Sequence, residues 1–321
     1  MKITDIGERG LIGKIADRVC YKSGRVIQGI GDDAAVLSSK KKFLIATTDM
    51  LHRKTDFPVI LTPEDIGWMS VAVNLSDLAS MGAEPLCILV ALGLEEDTPL
   101  DFFEGIIDGI VGCCREYSLD LVGGDIDKHS ELTIVGTALG EAEKVVLQSG
   151  ASEGDMLCIM GAVGGSAASI NLIDKSAHLT DELINLMRAK ISVKNPFVRE
   201  GIILADFATA CIDTSDGLAK SVYNLAEKSD VGFVIDYDRI PVDPDLAHYI
   251  DLDVLLYGGG DYGLLFTVKD EDLREIEKIK ELTGKFHVIG TATKEKEIVL
   301  KDNKGKKVIV EDKGYDHMVK R

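Results

Sequence analysis

The chain is expected to fold as an α/β protein of α+β-like character in two domains. Residues 1–148 form an N-terminal sheet domain with flanking helices, and residues 149–321 a C-terminal α/β domain. Three observations lead there. Apolar strand-like runs alternate with long helix-like segments through the first half. A small, polar stretch, Gln148-Ser149-Gly150-Ala151-Ser152-Glu153-Gly154-Asp155, interrupts that pattern near the middle. And 321 residues exceed one domain of about 100–200.

Residues 4–20 read as an amphipathic helix carrying Ile6, Leu11, Ile15 and Val19, interrupted early by Gly10 and Gly13. Val26 to Ile30 leads into the acidic loop Gly29-Ile30-Gly31-Asp32-Asp33. Val36-Leu37 and Phe43 to Thr47 read as two strands of a hairpin joined by the basic turn Ser38 to Lys42. Thr62-Pro63-Glu64-Asp65 starts a helix, with an N-cap Thr, Pro at the first position and acids in the first turn. That helix should reach about Met81 and stop at Gly82. It has no charge between Asp65 and Asp77, so it should be mostly buried. Asn74 and Asp77, three apart, share a face. A carboxylate on a buried helix needs a partner: a metal, a backbone amide or the Asn.

Pro85 to Leu94 reads as a strand, and Thr98-Pro99-Leu100-Asp101 opens a second helix to residue 117. Leu119 to Asp125 and Leu132 to Leu139 are further strands. The second half opens with strand Met156 to Met160 and the turn Gly161 to Ser166. That turn matches neither G-x-G-x-x-G nor a Walker loop, and reads as a structural strand-to-helix connection. Residues 180–190 and 197–207 are helical in pattern. Ala210 to Asp213 is a strand, and Thr214-Ser215-Asp216-Gly217 opens helix 217–228. Strands at Val231–Tyr237, Leu264–Val268, Val288–Thr291, Ile298–Leu300 and Val308–Val310 follow, with a charged helix over 270–282.

The net charge of −18 argues against a general nucleic-acid-binding surface, which needs excess Lys and Arg. No uncharged run reaches the ~18 residues of a membrane span, and the N-terminus lacks a signal-peptide core, so the expected location is cytoplasmic. The six cysteines form no C-x-x-C and no zinc-site spacing; they read as small buried residues of a reducing compartment. The six histidines are scattered, and no Ser-His-Asp arrangement has a G-x-S-x-G elbow behind it.

What remains is a set of carboxylates. Phe43 to Asp49, Leu119 to Asp125, Ala210 to Asp216 and Val254 to Asp261 each pass from an apolar run to polar residues and an Asp, and Asp77 adds another. Parallel strands present their carboxyl ends to ligands. Carboxylates gathered there repel unless hard cations sit between them, most simply Mg²⁺ with phosphate oxygens as co-ligands. Singly, each Asp equally serves as a helix cap or turn closer. Acids, hydroxyls and Gly-rich turns together are the inventory of phosphoryl transfer.

The segments GIGDDAAV, TTDML, AVNLSDLASMGAEP, LVGGD, DTSDGLA and YGGGDYGLLFTV, in this order and at this spacing, resemble the thiamine-monophosphate kinase family of the aminoimidazole ribonucleotide synthetase-like superfamily. The resemblance runs from about residue 5 to Met318. It implies an N-terminal domain that dimerises through its sheet, and transfer of the γ-phosphoryl of ATP to thiamine monophosphate, giving thiamine diphosphate. By motif position it implies Mg²⁺ ligands Asp33, Thr47, Thr48, Asp49, Asp77, Asp125, Asp213 and Asp216. Nucleotide contacts would come from Gly124, Asp125, Gln148 and Ser215. Acceptor contacts would come from Asp56, Gly260 and Tyr315. Three places depart from the family pattern: Asp56 replaces a His, Gln148 an Arg, and Gly258-Gly259-Gly260-Asp261-Tyr262-Gly263 carries Gly twice where the family has Glu. Two other readings stay open: the same fold and ATP site with a different acceptor, or a nucleotide-binding scaffold without catalysis.

Overall fold

The computed structural model describes residues 11, 13–15, 17–22, 24–28, 36–37, 40–175 and 179–315. The acidic loop at 29–35, with Asp33, and most of the expected helix over 4–20 lie outside these residues. Among the described residues no helix is long and apolar enough to cross a membrane.

Two compact units make up the chain. The first comprises Met1–Leu78, Ala83–Glu143 and Ser192–Val198; the second comprises Ala79–Gly82, Lys144–Ile191 and Arg199–Arg321. In the first, β1 (Val26–Gln28) and β2 (Val36–Leu37) form a two-stranded antiparallel sheet. A four-stranded sheet is built from β3 (Phe43–His52), β4 (Glu84–Leu94), β5 (Asp120–Lys128) and β6 (Thr133–Ala142), in the order β3-β6-β4-β5. Two of the sequence expectations change here. β2 pairs with β1 and β3 with β6, so the 36–47 segment is no hairpin. Alternation assigns faces to a strand but never names its neighbour. Within the four-stranded sheet only β4 and β5 run parallel. Asp49 and Asp125 therefore lie within long strands rather than at the carboxyl ends of a parallel set.

Helices α1 (Pro63–Ser80) and α2 (Leu100–Glu116) complete this unit. Thr62 caps α1 as its sequence suggested: its hydroxyl accepts from the Asp65 amide at 3.2 Å, and Asp65 Oδ2 accepts from the Thr62 amide at 3.2 Å. The uncharged stretch of α1 is buried, with Ile66, Val71, Ala72, Leu75 and Leu78 excluded from solvent. The two helices touch through their backbones: a Cβ at Gly109 would stand 2.1 Å from the Glu64 carbonyl, and one at Gly67 would stand 1.9 Å from that of Ile106.

Strand β3 alternates cleanly. Leu44, Ala46, Thr48 and Met50 are exposed, while Ile45, Thr47 and Asp49 are half-buried and Leu51 buried. Leu139, Thr137 and Val135 of β6 stand opposite Ala46, Thr48 and Met50, and Leu89 and Ala91 of β4 continue the row. The result is a largely apolar sheet face with Leu44 58% and Met50 55% exposed.

The second unit holds a seven-stranded sheet. Its strands are β7 (Met156–Met160), β8 (Ala210–Asp213), β9 (Gly232–Asp236), β10 (Leu264–Val268), β11 (Phe286–Thr293), β12 (Ile298–Lys301) and β13 (Lys307–Ile309). They run β13-β12-β9-β11-β7-β10-β8, antiparallel except for β9 with β12. Around it lie α3 (Gly165–Lys175), α4 (Asp181–Ile191), α5 (Val198–Leu204), α6 (Leu218–Ser229), α7 (Leu252–Tyr257) and α8 (Asp270–Ile276). α8 is shorter than the expected 270–282. Beyond Ile276 the chain continues in tight turns, and Leu282 is the next side chain fully removed from water. All five residues of β10 are buried between β7 and β8, and Phe266 meets Phe286 edge-on at 5.8 Å.

The helix crossing makes a sharp prediction. Gly109→Ala should lower unfolding free energy by roughly 1–3 kcal/mol, because backbone on the facing helix must move. Gly112→Ala, on the same helix with nothing within 4 Å of the added carbon, should raise it by about 0.5–1 kcal/mol. Equal signs in urea denaturation would contradict this packing.

Candidate functional site

In the first unit the strand–helix contact brings together three of the expected ligands, Thr47, Asp49 and Asp77. Thr47 and Asp49, two apart on β3, share the inward face. The Thr47 hydroxyl donates to Asp77 Oδ2 on α1 at 2.5 Å. One turn before Asp77, Asn74 is completely buried, and its Nδ2 donates to the Ser70 carbonyl at 3.1 Å. Its Oδ1 is buried without a hydrogen-bond partner. The amide lies under Gly136 of β6, where a Cβ would come within 2.4 Å of Asn74 Nδ2; Gly136 is the register partner of Asp49. Glycine here lets the helix sit against the strand, which puts Asn74 and Asp77 beneath the Thr47–Asp49 face.

Thr48 takes the other face. Its hydroxyl donates to the Gly136 carbonyl at 2.8 Å and stands 3.0 Å from that of Thr137, turned away from Thr47 and Asp49. Gly124 and Asp125 are exposed in β5, and Asp125 Oδ1 accepts from the Ile126 amide at 3.0 Å. Asp56 Oδ2 closes the turn after β3, accepting from the His52 amide at 2.7 Å and the Thr55 hydroxyl at 2.6 Å. Among the described residues no three His, Cys, Asp or Glu side chains form a metal-sized group. The donors that meet are hydroxyl, amide and carboxylate oxygens together.

In the second unit the loops after β8 and α7 meet. Asp213, buried at the end of β8, accepts from the Ser215 hydroxyl at 2.8 Å. The Gly260 amide donates to the Ser215 carbonyl at 2.7 Å, and the Tyr315 amide to the Asp216 carbonyl at 3.0 Å. Asp213, Ser215, Asp216, Gly260 and Tyr315, scattered over a hundred residues of sequence, thus form one cluster. Gly260 has φ +92°, and a Cβ there would stand 2.6 Å from Ser166 Oγ. Ser166 fills space that a larger residue at 260 would need. Gln148 is half-buried, and its carbonyl accepts from the Ser229 hydroxyl at 3.3 Å.

Sequence reasoning missed several buried structural carboxylates, of which two illustrate the kind. Glu141, 1% exposed on β6, forms an ion pair with Arg25 and accepts from the Lys40 amide at 3.1 Å. Two segments flanking the acidic loop therefore end on one buried carboxylate. A lone Glu closing an apolar strand was the available signal. The other is Asp243, buried and bonded to Lys190 at 2.7 Å. All six cysteines are unpaired, five of them buried, and burial pushes the Cys87 thiol up to about 12.

Comparisons with known proteins agree over most of the chain. The family model "AIR synthase related protein, N-terminal domain" matches residues 31–142, and its C-terminal counterpart matches 152–303. A thiamine-monophosphate kinase of Methanospirillum hungatei JF-1 is 41% identical over 249 residues, covering 76% of this chain and 82% of that protein. A crystal structure of thiamine-monophosphate kinase from Stenotrophomonas maltophilia K279a superposes with a TM-score of 0.80 at 31% identity, covering 90% of this chain and 95% of the other. AaThiL complexed with AMPPCP and TMP superposes with a TM-score of 0.77 at 29% identity over 99% of both chains.

Asp261 gives the site a measurable pH response. Its carboxylate accepts from the Gly164 amide at 2.7 Å and the Ser166 amide at 3.0 Å, tying the Gly161–Ser166 turn to the loop after α7. Desolvation of the carboxyl group, helped by nearby Asp243, raises its pKa to about 6 despite those donors. An acid raised in the folded state adds stability below its ordinary value near 4, and that stability is lost as pH rises through about 6. Asp261→Asn cannot ionise. From pH 4 to 7 the stability difference should therefore move in the variant's favour by roughly 1–3 kcal/mol. A difference independent of pH would mean that the two amides fully accommodate the charge.

Proposed function

We propose a function for this chain from the family to which it belongs, the thiamine-monophosphate kinases among the AIR synthase related proteins. It transfers the γ-phosphoryl group of ATP to the phosphate of thiamine monophosphate, giving ADP and thiamine diphosphate. The observation that carries the reading is the Thr47–Asp77 contact, with Asp49 and Asn74 beside it: an oxygen-only donor set between a strand and a buried helix. A phosphate monoester is already ionised near neutral pH, so the acceptor needs positioning and charge neutralisation rather than a general base. The lack of a nucleophile–base pair in the sequence is consistent with that chemistry.

The donor set suits Mg²⁺, a hard cation that takes carboxylates and leaves room for phosphate oxygens. The ligands we assign are Asp33, Thr47, Thr48, Asp49, Asp77 and Asp125 as one set, and Asp213 and Asp216 as another. Thr48 serves through its backbone, because its hydroxyl is engaged on the opposite face. When bound, Mg²⁺ supplies the positive charge that offsets phosphate repulsion during transfer. Gly124, Asp125, Gln148 and Ser215 contact the nucleotide. Tyr315 offers an aromatic face to the cationic acceptor, and Gly260 and Asp56 border it. Asp56 has one oxygen committed to its own turn, so its role toward the acceptor is indirect.

The chain works as a homodimer in the cytoplasm. The exposed row Leu44, Ala46 and Met50, continued by Val135, Leu139, Leu89 and Ala91, is an apolar sheet face of the kind that a second copy covers. Free cysteines agree with a reducing compartment.

Purified protein with ATP, Mg²⁺ and thiamine monophosphate should yield ADP and thiamine diphosphate in equal amounts. ATP turnover without the acceptor product, or none at all, would refute the reading. Asp49→Asn and Asp125→Asn should fold normally yet lose at least about 100-fold in kcat, since a metal clamp contributes several kcal/mol. Sedimentation at micromolar concentration should give a dimer, and Met50→Asp should give a folded monomer. A wild-type monomer under those conditions would remove the sheet-face assignment.

A further inference from the structure

We propose that Asn74 is a positioning residue whose Oδ1 accepts a hydrogen bond from a water in the coordination shell of the cation held by Thr47, Asp49 and Asp77. The inference rests on the metal reading given above and extends it to a residue outside the ligand set.

Asn74 is 0% exposed, in the middle of a helix that buries Ile66, Val71, Leu75 and Leu78 together with the small hydroxyls of Ser70 and Ser76. One amide hydrogen goes to the Ser70 carbonyl, and Oδ1 has no protein partner. A buried acceptor left empty is costly, and such groups are normally satisfied by protein or by ordered water. An apolar residue would fit this helix face without that penalty. The amide also sits at a particular place. Its Nδ2 edge meets the inner face of the sheet at Gly136, the register partner of Asp49. Asp77, three residues along, shares its helix face and holds the Thr47 hydroxyl. A hydrated cation bound by these carboxylates carries strongly polarised waters, and a neutral acceptor orients one of them without adding charge to an already acidic site. An Asp at 74 would supply the same acceptor but place a third carboxylate beside Asp49 and Asp77, a repulsion unscreened by bulk water. The amide is thus the residue type that meets both demands.

The test is a Mn²⁺ titration of the full chain with AMPPCP present, followed by electron paramagnetic resonance of free Mn²⁺, beside melting curves without metal. Asn74→Leu should raise the Mn²⁺ Kd by about 10- to 100-fold, the usual effect of removing an outer-shell partner. Its metal-free melting temperature should stay level or rise, because an unsatisfied polar group is replaced by an apolar one of similar shape. Asn74→Ala serves if the Leu variant fails to fold, with the same expected change in Kd. A Mn²⁺ Kd within about twofold of wild type in either folded variant overturns the proposal. If melting temperature falls at the same time, the amide binds only a structural water. Asp77→Asn separates the two levels. Loss of Mn²⁺ binding there, with none at Asn74, refutes only this inference. Unchanged binding in Asp77→Asn refutes the metal site itself.

Discussion

Burial of an uncharged helix governs the first unit. Between Asp65 and Asp77, α1 offers water no charge, and its Ile, Val, Leu and Ala side chains are excluded from solvent. Roughly 25 cal/mol per Å² of buried apolar surface drives such a helix onto its sheet and onto the neighbouring helix. The glycines at 67, 109 and 136 let backbone approach backbone where side chains would hold the elements apart. The polar end of α1 is carried in with the rest. Asp77 then meets Thr47, and Asn74 comes to lie under Asp49's neighbour on β6. The acidic site follows from the packing of an apolar surface.

The second unit solves a comparable problem by other means. Its polar residues sit on loops, and backbone hydrogen bonds rather than helix burial hold those loops together. Gly260 and Tyr315 both donate into the Ser215–Asp216 segment, while Asp261 reaches back to the Gly164–Ser166 turn. Each link has a main-chain group at one end or both, and the Asp261 carboxylate supplies the side-chain end of two of them. Glycine at 260 and 263 belongs to that packing. At Gly260 the volume is partly taken by Ser166, and a Cβ at Gly263 would stand 2.4 Å from the Met160 carbonyl.

Charge sets the terms on which both sites operate. The chain carries a net −18, and most of its candidate ligands are carboxylates. Like charges so placed favour cation binding and an anionic substrate delivered with metal rather than alone. Asp261 shows the complementary device: a carboxyl group with two amide donors is still pushed toward its neutral form by desolvation and by Asp243.

Sequence alone carried the fold class, the capped start of α1, its burial and the set of carboxylates, because these follow from local composition and periodicity. Thr62 and Asp65 cap each other as their spacing says, and Gly82, at φ +69°, stands just past the helix end. Tertiary structure decided what is non-local. Period-two alternation could not tell that β2 pairs with β1 or that β3 pairs with β6, nor that Asp49 lies inside a ten-residue strand. Thr47 and Thr48 look alike in sequence. Only the position of Asp77 on a helix from elsewhere in the chain makes the first a neighbour of the acidic site and turns the second toward Thr137. Ion pairs such as Arg25–Glu141 span more than a hundred residues and leave no spacing to read. Local pattern sets which faces are apolar. Which faces meet depends on how the whole chain removes them from water, and that brings the chemistry-bearing side chains together.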